Sequence, residues 1–175
     1  MKLLFVQIMW ISSILFTNTV NAKDNSHKVY NNHISTFMGT TYNTHHKAGD
    51  FTLGLDYEFR PSAFGSSLGF GMFGEFVWAD HSEYLLGFPL YYHFDNGAKV
   101  LVAPGVVFSE KEYEKLNINT YERVKELRNN TEFLIRFGLG YDFHINRASL
   151  SPTLSLDYID SHLSVICGIS CGIAF

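Results

Sequence analysis

From residue 50 to its end the sequence repeats one pattern: a large apolar side chain at every second position, with glycine, serine, threonine or a charged residue between. Period-two alternation belongs to strands with two unlike faces. Eight runs separated by turn residues cover approximately 33–43, 50–60, 67–79, 83–94, 98–109, 131–144, 148–159 and 162–175. In the second run Phe51, Leu53, Leu55, Tyr57 and Phe59 stand against Thr52, Gly54, Asp56, Glu58 and Arg60. In the third, Leu68, Phe70, Met72, Phe76 and Trp78, with Gly74 among them, stand against Gly69, Gly71 and Glu75. The sixth sets Phe133, Ile135, Phe137, Leu139, Tyr141 and Phe143 against Glu132, Arg136, Gly138, Gly140, Asp142 and His144. The other runs divide alike, except the first, which alternates poorly.

The polar face decides which side is inside. In this register nine of the 14 glycines lie on it. Were the bulky rows to face inward, they would have to crowd a small interior while glycine and serine formed the surface. An eight-stranded barrel has room for only a modest set of interior side chains. The inverted arrangement fits: bulky rows against lipid, small and polar residues in a narrow lumen. Strands enter lipid only as a closed barrel, because an open edge would leave backbone groups without partners. The expected fold is therefore all-β, an eight-stranded antiparallel up-and-down transmembrane barrel. It also accounts for the aromatic surplus of 16 Phe, 10 Tyr and two Trp. Phe51 and Phe59, Phe70 and Trp78, Tyr84 and Tyr92, and Phe133 and Tyr141 are each eight residues apart on one face. At about 3.3 Å per residue and a tilt near 40°, that spacing climbs roughly 20 Å, close to the height of an outer-membrane apolar band. Two aromatic belts are expected. The mean hydropathy of +0.01 then averages an apolar exterior with a polar interior.

Residues 1–22 read as a secretory signal peptide, with Lys2, an apolar stretch from Leu3 to Phe16 and a small-residue site at Val20-Asn21-Ala22. That stretch is too short for a membrane helix, and the barrel domain is expected to occupy 23–175. The formal charge of −4 gives no basic face for nucleic acid. Cys167 and Cys171, four residues apart on one strand, are about 13 Å from each other, too far for a disulfide, and read as small apolar residues. With both termini on one side, the links at 61–66, 95–97 and 145–147 are short, whereas the other set includes the long segment 110–130. Outer-membrane barrels have short periplasmic turns and longer external loops, so both termini are expected in the periplasm.

With a signal peptide, eight alternating strands and a terminal Phe175 preceded by apolar residues at every second position, the chain resembles the small bacterial outer-membrane barrels typified by the OmpA membrane domain and OmpX. Segments such as 53–60, 103–106 and 136–143 look like those of uncharacterised outer-membrane barrel proteins. The resemblance implies contact with outer-membrane lipid and lipopolysaccharide. It also implies an assembly signal in the closing strand at Ile169, Cys171, Ile173 and Phe175, read by the barrel-assembly machinery. It supplies no activity, since such barrels act variously as adhesins, anchors, narrow channels or lipid-modifying enzymes.

The candidate functional residues are the lumen charges, as a structural plug or a pore lining. Strand direction puts Glu75, Glu132, Arg136 and Asp157 toward the external half, and Asp56, Glu58, Arg60, Lys99, Asp142 and His144 toward the periplasmic half. Lys99 is expected near Asp142, and Arg136 within reach of Glu132 or Glu75, because a buried charge needs a partner. The segment 110–130 carries nine charged residues within 18 positions and is expected to be a solvated external loop, strand hairpin or short helix. It is the place for an external ligand, with Tyr113 and Tyr121 as contact rings. His45, His46, His81 and His162 fall near external loops without ligand geometry, and Gly69-Phe70-Gly71-Met72-Phe73-Gly74 has no following helix to make it a phosphate loop. No catalytic residue, cofactor or metal site is expected.

Overall fold

The computed structural model describes residues 31–43, 49–61, 67–79, 82–117 and 122–175, of which 111–117 and 122–128 are described as backbone only. The expected leader at 1–22, and His45, His46 and His81, lie outside the described residues. Among the described residues ten strands are formed: β1 (Asn32–Asn43), β2 (Gly49–Phe59), β3 (Leu68–Trp78), β4 (Glu83–Gly87), β5 (Leu90–His93), β6 (Ala98–Asn117), β7 (Glu122–Tyr141), β8 (Phe143–Ile145), β9 (Ala148–Ile159) and β10 (His162–Ala174). They make eight staves, because β4 with β5, and β7 with β8, each continue one line. Pro89, which has no N–H to give, interrupts the first pair, yet the register does not slip: Phe73 pairs with Gly87 and Phe70 with Leu90. Phe88 N–H still donates to Pro104 O at 2.9 Å, and Gly71 N–H to Pro89 O at 2.9 Å.

Every neighbouring pair is antiparallel, and β10 pairs with both β9 and β1, closing the barrel. At the seam Asn32 and Phe175 exchange both backbone hydrogen bonds, at 3.1 and 2.9 Å. Turn chemistry fixes the tight ends. Asp160 and Ser161 both take positive φ, 42° and 70°, the pattern of a two-residue hairpin whose twist suits the flanking strands. Gly97, at φ 89°, completes the turn from Phe94 to Ala98.

The barrel is apolar outside. Among the described residues thirty-two large hydrophobic side chains are exposed, against nine hydrophobic residues that are buried. The rings form contiguous groups at two levels. Toward one rim, Trp78 meets Phe76 edge-on at 4.3 Å and Phe51 at 5.5 Å, and Phe76 meets Tyr84 at 4.8 Å. Toward the other, Tyr92 meets Phe94 at 4.9 Å and Tyr141 meets Phe143 at 4.8 Å. The first stave, whose alternation is obscure in sequence, turns His33, Ser35, Phe37 and Thr41 inward. No helix among the described residues is long and apolar enough to cross a membrane; the crossing elements are strands.

Of the three forms expected for the segment 110–130, the described residues show the strand hairpin. The ladder between β6 and β7 continues past the barrel wall, from Glu110 opposite Asn129 to Asn117 opposite Glu122. Pairing to the outer neighbours stops earlier, at Ser109 on the β4 side and Leu134 on the β9 side. A two-stranded hairpin therefore projects from one rim, opposite the rim that carries both ends of the described barrel.

Candidate functional site: the filled lumen

Alternation sends the polar face of each stave into the lumen, and glycine provides the space there. A Cβ on Gly87 would collide with the ring of Phe73, one on Gly39 or Gly168 with the ring of Phe37, and one on Gly140 would come within 2.9 Å of Lys99 Cε. Large inward side chains thus lie across glycines of their own or neighbouring staves, the small-against-large interdigitation that lets a narrow barrel be packed.

Arg136, on β7, is 5% exposed and sits between two acids. Its Nη1 and Nη2 donate to Glu75 Oε1 and Oε2 at 2.6 and 2.7 Å, and its Nε and Nη2 to Asp157 Oδ1 and Oδ2 at 2.7 and 2.8 Å. Both pairs are two-pronged, the geometry guanidinium and carboxylate planes favour. The guanidinium carbon also lies 4.3 Å from the centre of the Phe73 ring. Register explains the pairing: Asp157 is directly opposite Arg136 across the β7–β9 ladder, whereas Glu75 comes from across the lumen on β3. Glu132, four residues nearer the hairpin on the same strand, accepts from Asn130 Nδ2 at 2.7 Å.

Further from the hairpin lies a second layer. Glu58 accepts from Arg60 Nε at 2.7 Å, and His93 Nε2 lies 2.7 Å from the same Glu58 oxygen. Lys99 Nζ donates to Asp142 Oδ1 at 2.7 Å and Ser151 Oγ donates to that oxygen at 2.5 Å. His93 Nδ1 at 3.4 Å and Arg60 Nη2 at 3.9 Å both approach Asp142 Oδ2, so His93 and Arg60 bridge the two acids. His33 Nε2 and Ser149 Oγ are 2.7 Å apart, from the two staves that flank β10. His144 lies exposed in β8 at the rim.

Asp56 stands between the layers and takes the Tyr91 hydroxyl at 2.6 Å. It borders a cavity of about 50 Å³ whose other polar walls include Thr153, Ser155 and Ser170. That is room for a few waters. Toward the hairpin, Phe73, Val77, Leu85, Ala103, Val107 and Leu134 pack together as an apolar cluster, with Leu101 and Ile159 against them. An interior of small and polar residues alone is thus corrected: apolar residues at inward positions form a cluster of their own. Among the described residues no group of three or more His, Cys, Asp and Glu could hold a metal.

Tyr91, His93 and Ser151 complete the networks without having been singled out as candidates. Tyr91 hides in a Tyr91-Tyr92 doublet and Phe73 in a Met72-Phe73 doublet, where both faces are bulky and alternation loses contrast. Ile169, Cys171, Ile173 and Phe175 all face outward on the closing stave, and Cys167 and Cys171 are free and exposed.

By sequence, no family model and no curated protein matches the chain. By structure, it is similar to the N-terminal β-barrel domain of Pseudomonas aeruginosa OprF, with 15% identity, a TM-score of 0.53 and coverage of 83% of this chain and 98% of that one. The fold is that of the small outer-membrane β-barrels. Neisserial surface protein A matches with 11% identity and a TM-score of 0.54, over 86% of this chain and all of its own length. Ail of Yersinia pestis, in complex with the heparin analogue sucrose octasulfate, matches with 12% identity and a TM-score of 0.52, covering 82% of this chain and 96% of its own. At these identities the likeness is one of small outer-membrane β-barrel architecture, and it carries no residue role across.

Proposed function

We propose that this chain is an integral outer-membrane barrel with both termini in the periplasm. Its role is structural or at the cell surface, without catalysis, and the β6–β7 hairpin projects outward. The observation that supports the reading is what occupies the lumen: an apolar cluster, the Arg136 layer and the Glu58–Asp142 layer. With the interior filled, the hairpin, the rims and the lipid-facing wall are the surfaces left for contact. Lipopolysaccharide and the assembly machinery are the partners that the fold implies, and an external ligand would meet the hairpin. Between 111 and 128 the sequence has five basic and four acidic residues, a near balance that favours a mixed polar partner over a polyanion.

Planar-bilayer recording tests closure: refolded protein is expected to give no steady conductance, and a reproducible single-channel step would overturn the structural reading in favour of a pore. Orientation has its own test. With Cys167 and Cys171 replaced by serine, Thr120→Cys should react with a membrane-impermeant maleimide on intact cells and Asn96→Cys should not; the reverse pattern would refute periplasmic termini. Lipid A profiles that match with and without the gene are expected from a barrel lacking lipid-modifying activity.

A further inference from the structure

Gly74 breaks the apolar exterior. It lies mid-strand in β3 at an outward position, flanked on its own strand by Met72 and Phe76 and directly paired with Leu55 and Leu86. A Cβ placed there would meet nothing within 4 Å. The missing side chain leaves a recess of about 250 Å³ on the outer wall, bordered by Ile34, Leu55, Tyr57, Met72 and Leu86, with the ladder between Asp56 and Phe73 beneath it.

We propose that this recess holds one phospholipid acyl chain. Three observations select that occupant. The recess opens on the same wall as the exposed rings and aliphatic rows, so hydrocarbon is what already covers it. Its lower end is at Ile34, which pairs with Tyr57, and the Tyr57 hydroxyl donates to Asn32 Oδ1 at 2.8 Å, marking the polar level at the rim that carries the chain ends. The groove thus begins at that interface and rises to Leu86 at mid-wall, the path of a tail whose head group lies at the rim. Finally, the exposed rings of Phe51, Trp78 and Tyr84 stand above it and those of Phe59 and Phe70 below. These hold a second barrel away from the floor but not a flexible chain. Phospholipid, not lipopolysaccharide, is the source because the proposal rests on the periplasmic orientation of that rim.

The test is native mass spectrometry of the full barrel released from detergent in the presence of an equimolar mixture of phosphatidylethanolamine and lipid A. Wild type is expected to retain one phosphatidylethanolamine after other adducts are shed, and Gly74→Leu, which fills the recess without a clash, to lower that fraction about tenfold, the factor equivalent to about 1.4 kcal/mol. Gly74→Val gives the same measurement with a residue suited to strands. Equal retention by wild type and both variants, retention of lipid A instead, or a dimer that only wild type forms would each overturn the proposal. A failure of the membrane-barrel reading looks different: boiled and unboiled samples of all three proteins would then migrate alike on detergent gels.

Discussion

Replacing Arg136 by methionine separates a plugged barrel from a wet one. The side chain is 5% exposed, and the acids it joins, Glu75 and Asp157, are 6% and 1% exposed. Methionine fills much of the same length but leaves two carboxylates facing each other across the lumen with their cation gone. Removing one partner of a buried ion pair costs about 3–5 kcal/mol, because the remaining charge is stranded away from water. For a domain of this size each kcal/mol lowers the melting temperature by about 2–4 °C, so Arg136→Met should melt about 6–20 °C below wild type. Urea unfolding of protein inserted in phospholipid vesicles, followed by Trp78 fluorescence, gives the free energy directly. The cause is checked by the triple variant Arg136→Met with Glu75→Gln and Asp157→Asn. Neutralising the stranded acids should recover most of the loss, since an uncharged lumen often matches a buried ion cluster in stability. A cost for Arg136→Met below about 1 kcal/mol, the range of solvent-exposed pairs, would refute the reasoning. It would mean that water reaches Glu75 and Asp157 and that the lumen is open.

Lys99→Met should be milder, costing about 1–3 kcal/mol by the same urea assay, because Asp142 keeps Ser151 at 2.5 Å and His93 at 3.4 Å. Gly87→Val should cost about 1–3 kcal/mol by forcing the Phe73 ring aside, whereas Gly74→Val, with open space around it, should leave the unfolding midpoint unchanged or raise it; equal effects would show that the two glycines do not differ in packing. Replacing 112–127 by Asn-Gly, a hairpin turn between Lys111 and Arg128, should change stability by less than about 0.5 kcal/mol, since that part of the ladder pairs with no other stave. Failure of the shortened chain to insert would make the hairpin part of the folding unit.

The barrel is legible in the sequence wherever the two faces differ in kind. Thr52, Gly54, Asp56 and Glu58 against Phe51, Leu53, Leu55 and Tyr57 leave no doubt about direction, and alternation with strand direction is enough to sort the charges by height. What alternation lacks is register. Arg136 meets Asp157 because the β7–β9 ladder sets them opposite, while Glu132, nearer in sequence, is four residues away on the same strand and engages Asn130 instead. Apolar residues at inward positions are hidden for a related reason: Leu85 beside Leu86, Val107 beside Val106 and Ile166 beside Cys167 read as continuous runs, with no contrast to show which neighbour turns in. The hairpin is obscured differently. Its charge density suits a solvated segment, and cross-strand pairing of 110–117 with 122–129 carries no apolar period to announce it.

The same glycines that suggest an unfilled lumen are what fill it. On a narrow barrel each inward glycine removes a side chain from one stave so that a larger one from its neighbour can lie flat across it, as Phe73 does over Gly87 and Lys99 over Gly140. A wider barrel with the same residues would leave water between them and a path from end to end. Here the large residues are brought close enough to pair: Arg136 reaches an acid on the far wall without leaving the one beside it, and His93 reaches both Glu58 and Asp142. The ionic layers are therefore a consequence of barrel width as much as of sequence. They pack a polar interior with paired charges. Stability then comes from within the lumen, which leaves the outer wall free to meet lipid and the projecting hairpin free to vary.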